Sequence, residues 1–247
     1  MTAPDRAALD RPRDLSALLS DSLSLYRRHF GTFIAIAFAV VVPVHAIVLG
    51  IGLGEFTGGY NSTPQPASAY VPLLVQVLVV GPLVAVMALH ALQEIAAGRK
   101  PRAFQSIQSG LDVFTLVFWP VLVAVLCEVG TAITVVGPFI LLVRLYFVPQ
   151  VVVVDGKRGT EALRASWGLT RGFAWRTAGL VLIVHLVLEV AAALVATPVA
   201  ALAKSLDSEA VSLAATALAD TLVAAPLGIF AALLFFDLRS RQAALPR

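Results

Sequence analysis

The sequence predicts an all-α, polytopic integral membrane protein, with six transmembrane helices and amphipathic interfacial helices on the cytoplasmic side. Three observations lead there. Six apolar runs, roughly residues 31–53, 71–93, 113–133, 138–154, 177–200 and 211–236, mostly suffice to cross a ~30 Å hydrocarbon core at ~1.5 Å per residue. The composition, 59% hydrophobic and 13% charged with a mean hydropathy of +0.88, lies far from the soluble norm. Finally, the basic residues gather in alternate loops. With the amino terminus cytoplasmic, the inner segments hold 16 of the 18 Lys and Arg, leaving Lys204 outside and Arg144 within a span. Cytoplasmic loops favour Lys and Arg in this way, which sets direction and crossing number together. The formal charge of +3 therefore points to anionic headgroups at that face and not to nucleic acid.

The chain divides into a cytoplasmic amino-terminal segment, 1–30, a six-helix transmembrane domain of three hairpins, 31–237, and a cytoplasmic tail, 238–247. In the first segment Leu15, Leu18, Leu19, Leu23, Tyr26, Phe30 and Phe33 fall at helical spacing, the pattern of an amphipathic helix on the membrane surface running into span one. The first apolar run, about 23 residues, exceeds the 7–15 of a signal core, so a cleaved signal peptide is not expected. The Pro- and Gly-rich loop 54–70 is too short for a folded domain. After span two a second amphipathic segment is expected, with Phe104, Ile107 and Leu111 behind Pro101.

Residues 113–154 are apolar almost throughout. As one helix they would extend about 63 Å, twice the membrane, so the chain turns back. Gly130 to Pro138 is the expected turn, because Gly137-Pro138 disfavours continuation. A third stripe, Ala162, Ala165, Leu169 and Phe173, with Trp167 and Trp175 at headgroup level, precedes span five. A surface helix followed by a hairpin thus recurs three times, with Tyr26-Arg27-Arg28-His29-Phe30 answered by Arg171-Gly172-Phe173-Ala174-Trp175-Arg176. Every span also holds a proline (Pro43, Pro82, Pro120, Pro149, Pro198 and Pro226), read as bundle shaping before hinging.

Ionisable groups inside the spans are the candidate polar site: Glu128, Arg144, His185, Glu189 and Asp220. An unpaired charge there costs ~2.5–3.5 kcal/mol on insertion scales, so each must face the bundle or water, or titrate to neutrality. Arg144 needs a partner, for which Glu128 and Glu189 are the expected carboxylates. A register-fixing ion pair, a proton or ion pathway, and an anionic-headgroup site at Arg144 are all open. His185 and Glu189 lie at i and i+4, but one such pair without a third ligand does not make a metal site. The interfacial lipid contacts expected are Tyr26, Arg27, Arg28, Trp167, Arg171, Trp175 and Arg176. Gly50-Ile-Gly-Leu-Gly54 follows no strand and is not a nucleotide loop, so no cofactor is expected. Ala224-x-x-x-Gly228 suits close helix packing. The lone Cys127 forms no internal disulfide, and Asn61-Ser62-Thr63 only formally matches a glycosylation acceptor.

Several stretches together carry a family resemblance. They are Leu25-Tyr26-Arg27-Arg28-His29-Phe30-Gly31 entering span one, Ala162-Leu163-Arg164-Ala165-Ser166-Trp167 with Leu169-Thr170-Arg171-Gly172 before span five, and Phe236-Asp237-Leu238-Arg239 at the exit of span six. Over roughly residues 12–241 the chain resembles the bacterial membrane-domain family named after glycerophosphoryl diester phosphodiesterases, a set of six-span proteins. The resemblance implies a bacterial inner membrane location with both termini cytoplasmic. It does not imply the enzyme, since some relatives place a phosphodiesterase domain after this region and none is expected here. The expected function is non-enzymatic: accessory to a membrane protein partner, or organising membrane and envelope through lipid. The alternative is a small transporter or channel using Arg144 with Glu128, Glu189 or Asp220.

Overall fold

The apolar runs form helices longer than themselves, because their polar flanks continue the same backbone pattern. The computed structural model describes residues 9–50, 74–131, 136–205 and 209–244. The elements are α1 Leu15–Arg28, α2 Phe30–Gly50, a π-helical turn Gln76–Val80, α3 Gly81–Ala96, α4 Ala103–Gly130, α5 Val136–Leu145, α6 Val148–Asp155, α7 Gly159–Leu169, α8 Ala174–Ser205 and α9 Glu209–Ala243. Among the described residues there is no strand. Six segments there are long and apolar enough to cross a membrane: Phe30–Val48, Gln76–Ala96, Ala103–Gly130, Gly137–Asp155, Ala174–Val199 and Ala214–Ala243. The chain is a multi-pass, all-α membrane protein. Loop 54–70 with its Asn61 sequence, the glycine run from residue 51 and part of the turn before Pro138 lie outside the described residues.

Helix α1 starts where Asp14 accepts the Ala17 N–H at 2.7 Å and ends with Arg27 and Arg28 facing its negative dipole end. Its apolar arc is divided. Leu18 is buried with Phe33 against the bundle, whereas Leu15, Leu19, Leu23 and Phe30 are exposed on the outward side. Helix α7 is the other free-standing surface helix. The expected second one is fused instead, since Phe104, Ile107 and Leu111 belong to the continuous α4. Nothing there breaks the helix: Gly110 is a packing position, where an added Cβ would overlap Met87 Cγ of α3. The threefold repeat is therefore unequal, with two separate surface helices and one joined to its span.

Span four departs most from expectation. It breaks at Tyr146–Phe147 into α5 and α6. Pro149 explains this, because it lacks an N–H and its ring would strike the Leu145 carbonyl of a continuous helix, so it sits in the first turn of α6. Pro82 likewise opens α3, after a turn in which the Gly81 N–H reaches back to Gln76 O. Pro43, Pro120, Pro198 and Pro226 remain inside helices.

Helix α9 is the centre of the bundle, packing on α8, α3, α2 and α1. Its most apolar window is 72% buried, against 22% for α4 and α8 at the periphery. Phe230, Phe235 and Phe236 on α9 join Phe147, Met87 and Leu89 in the core. Gly228 allows the approach, since a Cβ there would lie 3.0 Å from Ala88 Cβ and 3.2 Å from the Val84 carbonyl.

Candidate functional site

Phe235 and Phe236 draw the end of α9 into the core, and the next residue, Asp237, is buried completely. A carboxylate in that position must be fully hydrogen-bonded. Arg176, at the start of α8, donates to Oδ2 at 2.6 Å, and Arg241, one turn on, donates from Nε to Oδ1 at 3.0 Å. The Arg13 N–H completes the shell at 2.6 Å to Oδ1. Both arginines also donate to the Arg13 carbonyl, at 2.8 and 2.6 Å. The peptide just before α1 is thus clamped on both faces, and the surface helix is fixed to spans five and six.

A second layer surrounds this knot. The Arg13 guanidinium meets Asp21 at 3.1 Å and the Leu9 carbonyl at 2.9 Å. Burial draws its pKa below the usual arginine value, partly offset by Asp21 and then by Asp237. Arg239 pairs with Asp155 at 2.9 Å, and Gln242 donates to the carbonyls of Leu169 and Arg171 at 3.1 and 2.6 Å, closing the end of α7. Residues 237–242 therefore gather α1, α6, α7 and α8 at the basic end of the bundle.

The outward side of α1 is left amphipathic. Ser20, Leu23, Ser24, Arg27 and Arg28 line a shallow groove along it, beside exposed Leu15 and Leu19. Tyr26 packs edge-on against Phe30 at 5.2 Å, and burial pushes its phenol pKa up. Trp175 is 85% exposed and Trp167 43%. Arg171 is exposed, but Arg176, expected at the headgroups, turns inward to Asp237.

The intramembrane candidates do not converge. Arg144 forms no ion pair with Glu128 or Glu189, because the break after Leu145 ends α5 there and sets Arg144 beside surface helix α7. Its Nη1 lies 3.4 Å from the Thr170 hydroxyl and its guanidinium 5.2 Å from the Trp167 ring centroid. Glu128 stands in the last turn of α4, at the far end of the bundle. Glu189 is exposed on peripheral α8, about 20 Å along the helix from Arg176. His185 sends Nδ1 to the Val181 carbonyl at 2.8 Å and packs against Tyr146, so it does not join Glu189. Among the described residues no group of three potential metal ligands occurs. Asp220 meets His45, its Oδ2 at 3.0 Å from Nε2, while Nδ1 lies 3.0 Å from the Val41 carbonyl. Sequence reasoning missed His45, Arg13, Arg241 and above all Asp237. The readable signal was a single acid closing a long apolar run with Arg four residues later.

These features define a class: a multi-pass membrane protein whose polar chemistry is concentrated at one basic end. Residues 67–237 match the family described as a domain of unknown function (DUF7847), and the chain belongs to that family. No curated protein and no solved structure matches the chain.

Proposed function

We propose that this protein is a non-enzymatic component of the bacterial inner membrane, acting at the cytoplasmic leaflet as an accessory or envelope-organising protein that binds anionic lipid. The observation that carries the reading is the combination on α1. Leu15, Leu19 and Leu23 face outward beside Arg27 and Arg28, on a helix whose other side is locked to the bundle through Arg13 and Asp237. An amphipathic helix so mounted presents acyl-chain and headgroup contacts at a fixed level. Trp175 and Arg171, also exposed, add aromatic and basic surface near the start of α8. Lys and Arg clustering on this side supports placing both termini in the cytoplasm. The family resemblance supports the bacterial assignment.

The test is hydrogen exchange of residues 15–28 after reconstitution into zwitterionic bilayers with and without phosphatidylglycerol. Protection that rises with anionic lipid, and ceases to rise in Arg27→Gln/Arg28→Gln, supports the reading. Equal protection in both bilayers overturns it. The rival, a small transporter using Arg144 with Glu128, Glu189 or Asp220, is less supported because those side chains stand apart. It requires solute flux in liposomes that is lost in Arg144→Gln.

A further inference from the structure

Five arginines among the described residues are not exposed: Arg13, Arg144, Arg176, Arg239 and Arg241. Four of them meet a carboxylate, Asp21 for Arg13, Asp237 for Arg176 and Arg241, and Asp155 for Arg239. Arg144 meets none. Its neighbours are a hydroxyl and an aromatic face, Thr170 and Trp167, and its Nε is buried without a protein acceptor. Such a group asks for an anion of its own, because a half-buried guanidinium with one long neutral hydrogen bond is poorly compensated.

The surroundings fit a phosphate. The Ser166 hydroxyl donates to the Arg144 carbonyl at 2.8 Å, so that carbonyl does not stand as a bare acceptor against an incoming anion. The guanidinium carbon lies over the Trp167 ring, a cation–π contact that limits where the group can move, and a guanidinium fork matches two phosphate oxygens. Ile140, one turn earlier on the same face of α5, is exposed, as is Leu142. Ile140 carries the exposed apolar surface of α5 from Arg144 toward the bilayer interior, where an acyl chain would lie.

We propose that Arg144, positioned by Trp167 and Thr170, binds the phosphate of an anionic phospholipid in the leaflet at the basic end. The proposal deepens the proposed function and rests on it for the identity of that leaflet, but it concerns residues separate from the α1 surface.

Native mass spectra of the gently purified full chain, before and after delipidation and addition of phosphatidylglycerol, test it. Wild type should retain one anionic phospholipid, with affinity about tenfold or more above that of Arg144→Gln. Arg144→Lys keeps the charge without the fork and should fall between them. If Arg144→Gln does not fold, Arg144→Lys and Trp167→Leu take its place, and each should weaken binding several-fold. Undiminished lipid binding in the variants overturns the proposal. Inorganic phosphate separates the two sources of the group: failure to displace the lipid at millimolar levels assigns the site to lipid, and displacement with stoichiometric phosphate binding assigns it to a free anion and overturns the lipid assignment. Arg27→Gln/Arg28→Gln separates this proposal from the broader one. A retained lipid there with lost α1 response leaves both standing. An unchanged Arg144→Gln beside a defective Arg27→Gln/Arg28→Gln removes only the Arg144 site, and no effect in either removes both.

Discussion

Asp237 and Asp220 lie on one helix, about 25 Å apart along α9, and their surroundings differ completely. Asp237 is fully buried and receives two guanidinium groups and a backbone N–H. Asp220 is 39% exposed at its side chain and meets His45 alone. The contrast extends to the rest of each half. At the basic end, carboxylates join elements distant in sequence. Farther along the spans, Glu128 and Glu189 join nothing among the described residues. Polar interactions thus tie together one end of this bundle, while the remainder rests mainly on apolar packing, joined by the Asp220–His45 contact.

The largest expected effect tests that contrast directly. Asp237→Ala leaves Arg176 and Arg241 beside each other at the Arg13 carbonyl without their carboxylate, and takes the acceptor from the Arg13 N–H. Removing one partner of a buried pair costs about 3–5 kcal/mol, enough to depress the melting temperature sharply and detach α1. Thermal unfolding in detergent checks the first, and proteolysis before Leu15 the second. A normal melting curve for Asp237→Ala would break the comparison. Gly228→Val comes next. It intrudes on Ala88 and Val84 where α9 crosses α3, and overpacking of this kind costs about 1–3 kcal/mol. The loss should be global, without selective release of α1.

Asp220→Ala should cost less, about 0.6 kcal/mol and at most about 1.7, as for single side-chain hydrogen bonds inside membranes. Glu189→Leu should cost nothing, and stability should hold or rise because an exposed carboxyl leaves the middle of an apolar surface. A destabilised Glu189→Leu in the purified chain would show that the outer half also depends on polar contacts. Measured together, the four melting temperatures should fall in the order Glu189→Leu, Asp220→Ala, Gly228→Val, Asp237→Ala.

Much of this architecture was legible in the sequence, and the reasons are physical. Span length is set by bilayer thickness, so apolar runs locate helices even without neighbours. The periodicity of Leu15, Leu19 and Leu23 likewise shows a surface helix, although not which of its two apolar sides meets the bundle. Helix interruptions were harder. Gly130–Pro138 announced a turn, but Pro149 stands within a largely apolar run, and the break there sets Arg144 beside α7 and not against Glu128 or Glu189. The pairings were least legible. Arg13, Arg176 and Asp237 are brought together only by the crossing of α1, α8 and α9, and His45 finds Asp220 across two helices that the sequence leaves unordered. An isolated carboxylate in a span drew attention by its cost, whereas Asp237, at the edge of the run, entered only as part of the Phe236-Asp237-Leu238-Arg239 motif.

Burial, and not mere position at the basic end, should decide which acids matter there, and Asp14 separates the two. It lies only one residue from clamped Arg13, yet it is exposed. Its carboxylate accepts the Ala17 N–H, and then the Ser16 hydroxyl, which together hold its pKa below the usual carboxylate range. A depressed folded pKa contributes stability that is present above the unfolded value, near 3.9, and is lost as pH falls through the folded one. The start of α1 should therefore loosen only below about pH 4, while the Arg13–Asp237 clamp keeps the helix docked. A nitroxide at Leu19→Cys, in a Cys127→Ser background, should report faster motion between pH 5 and pH 3. Asp14→Asn still caps the helix but does not titrate, so its label should not respond to pH. Detachment of α1 at pH 3 in wild type, with no such change in Asp14→Asn, would move the anchoring role from the buried carboxylate to the exposed one.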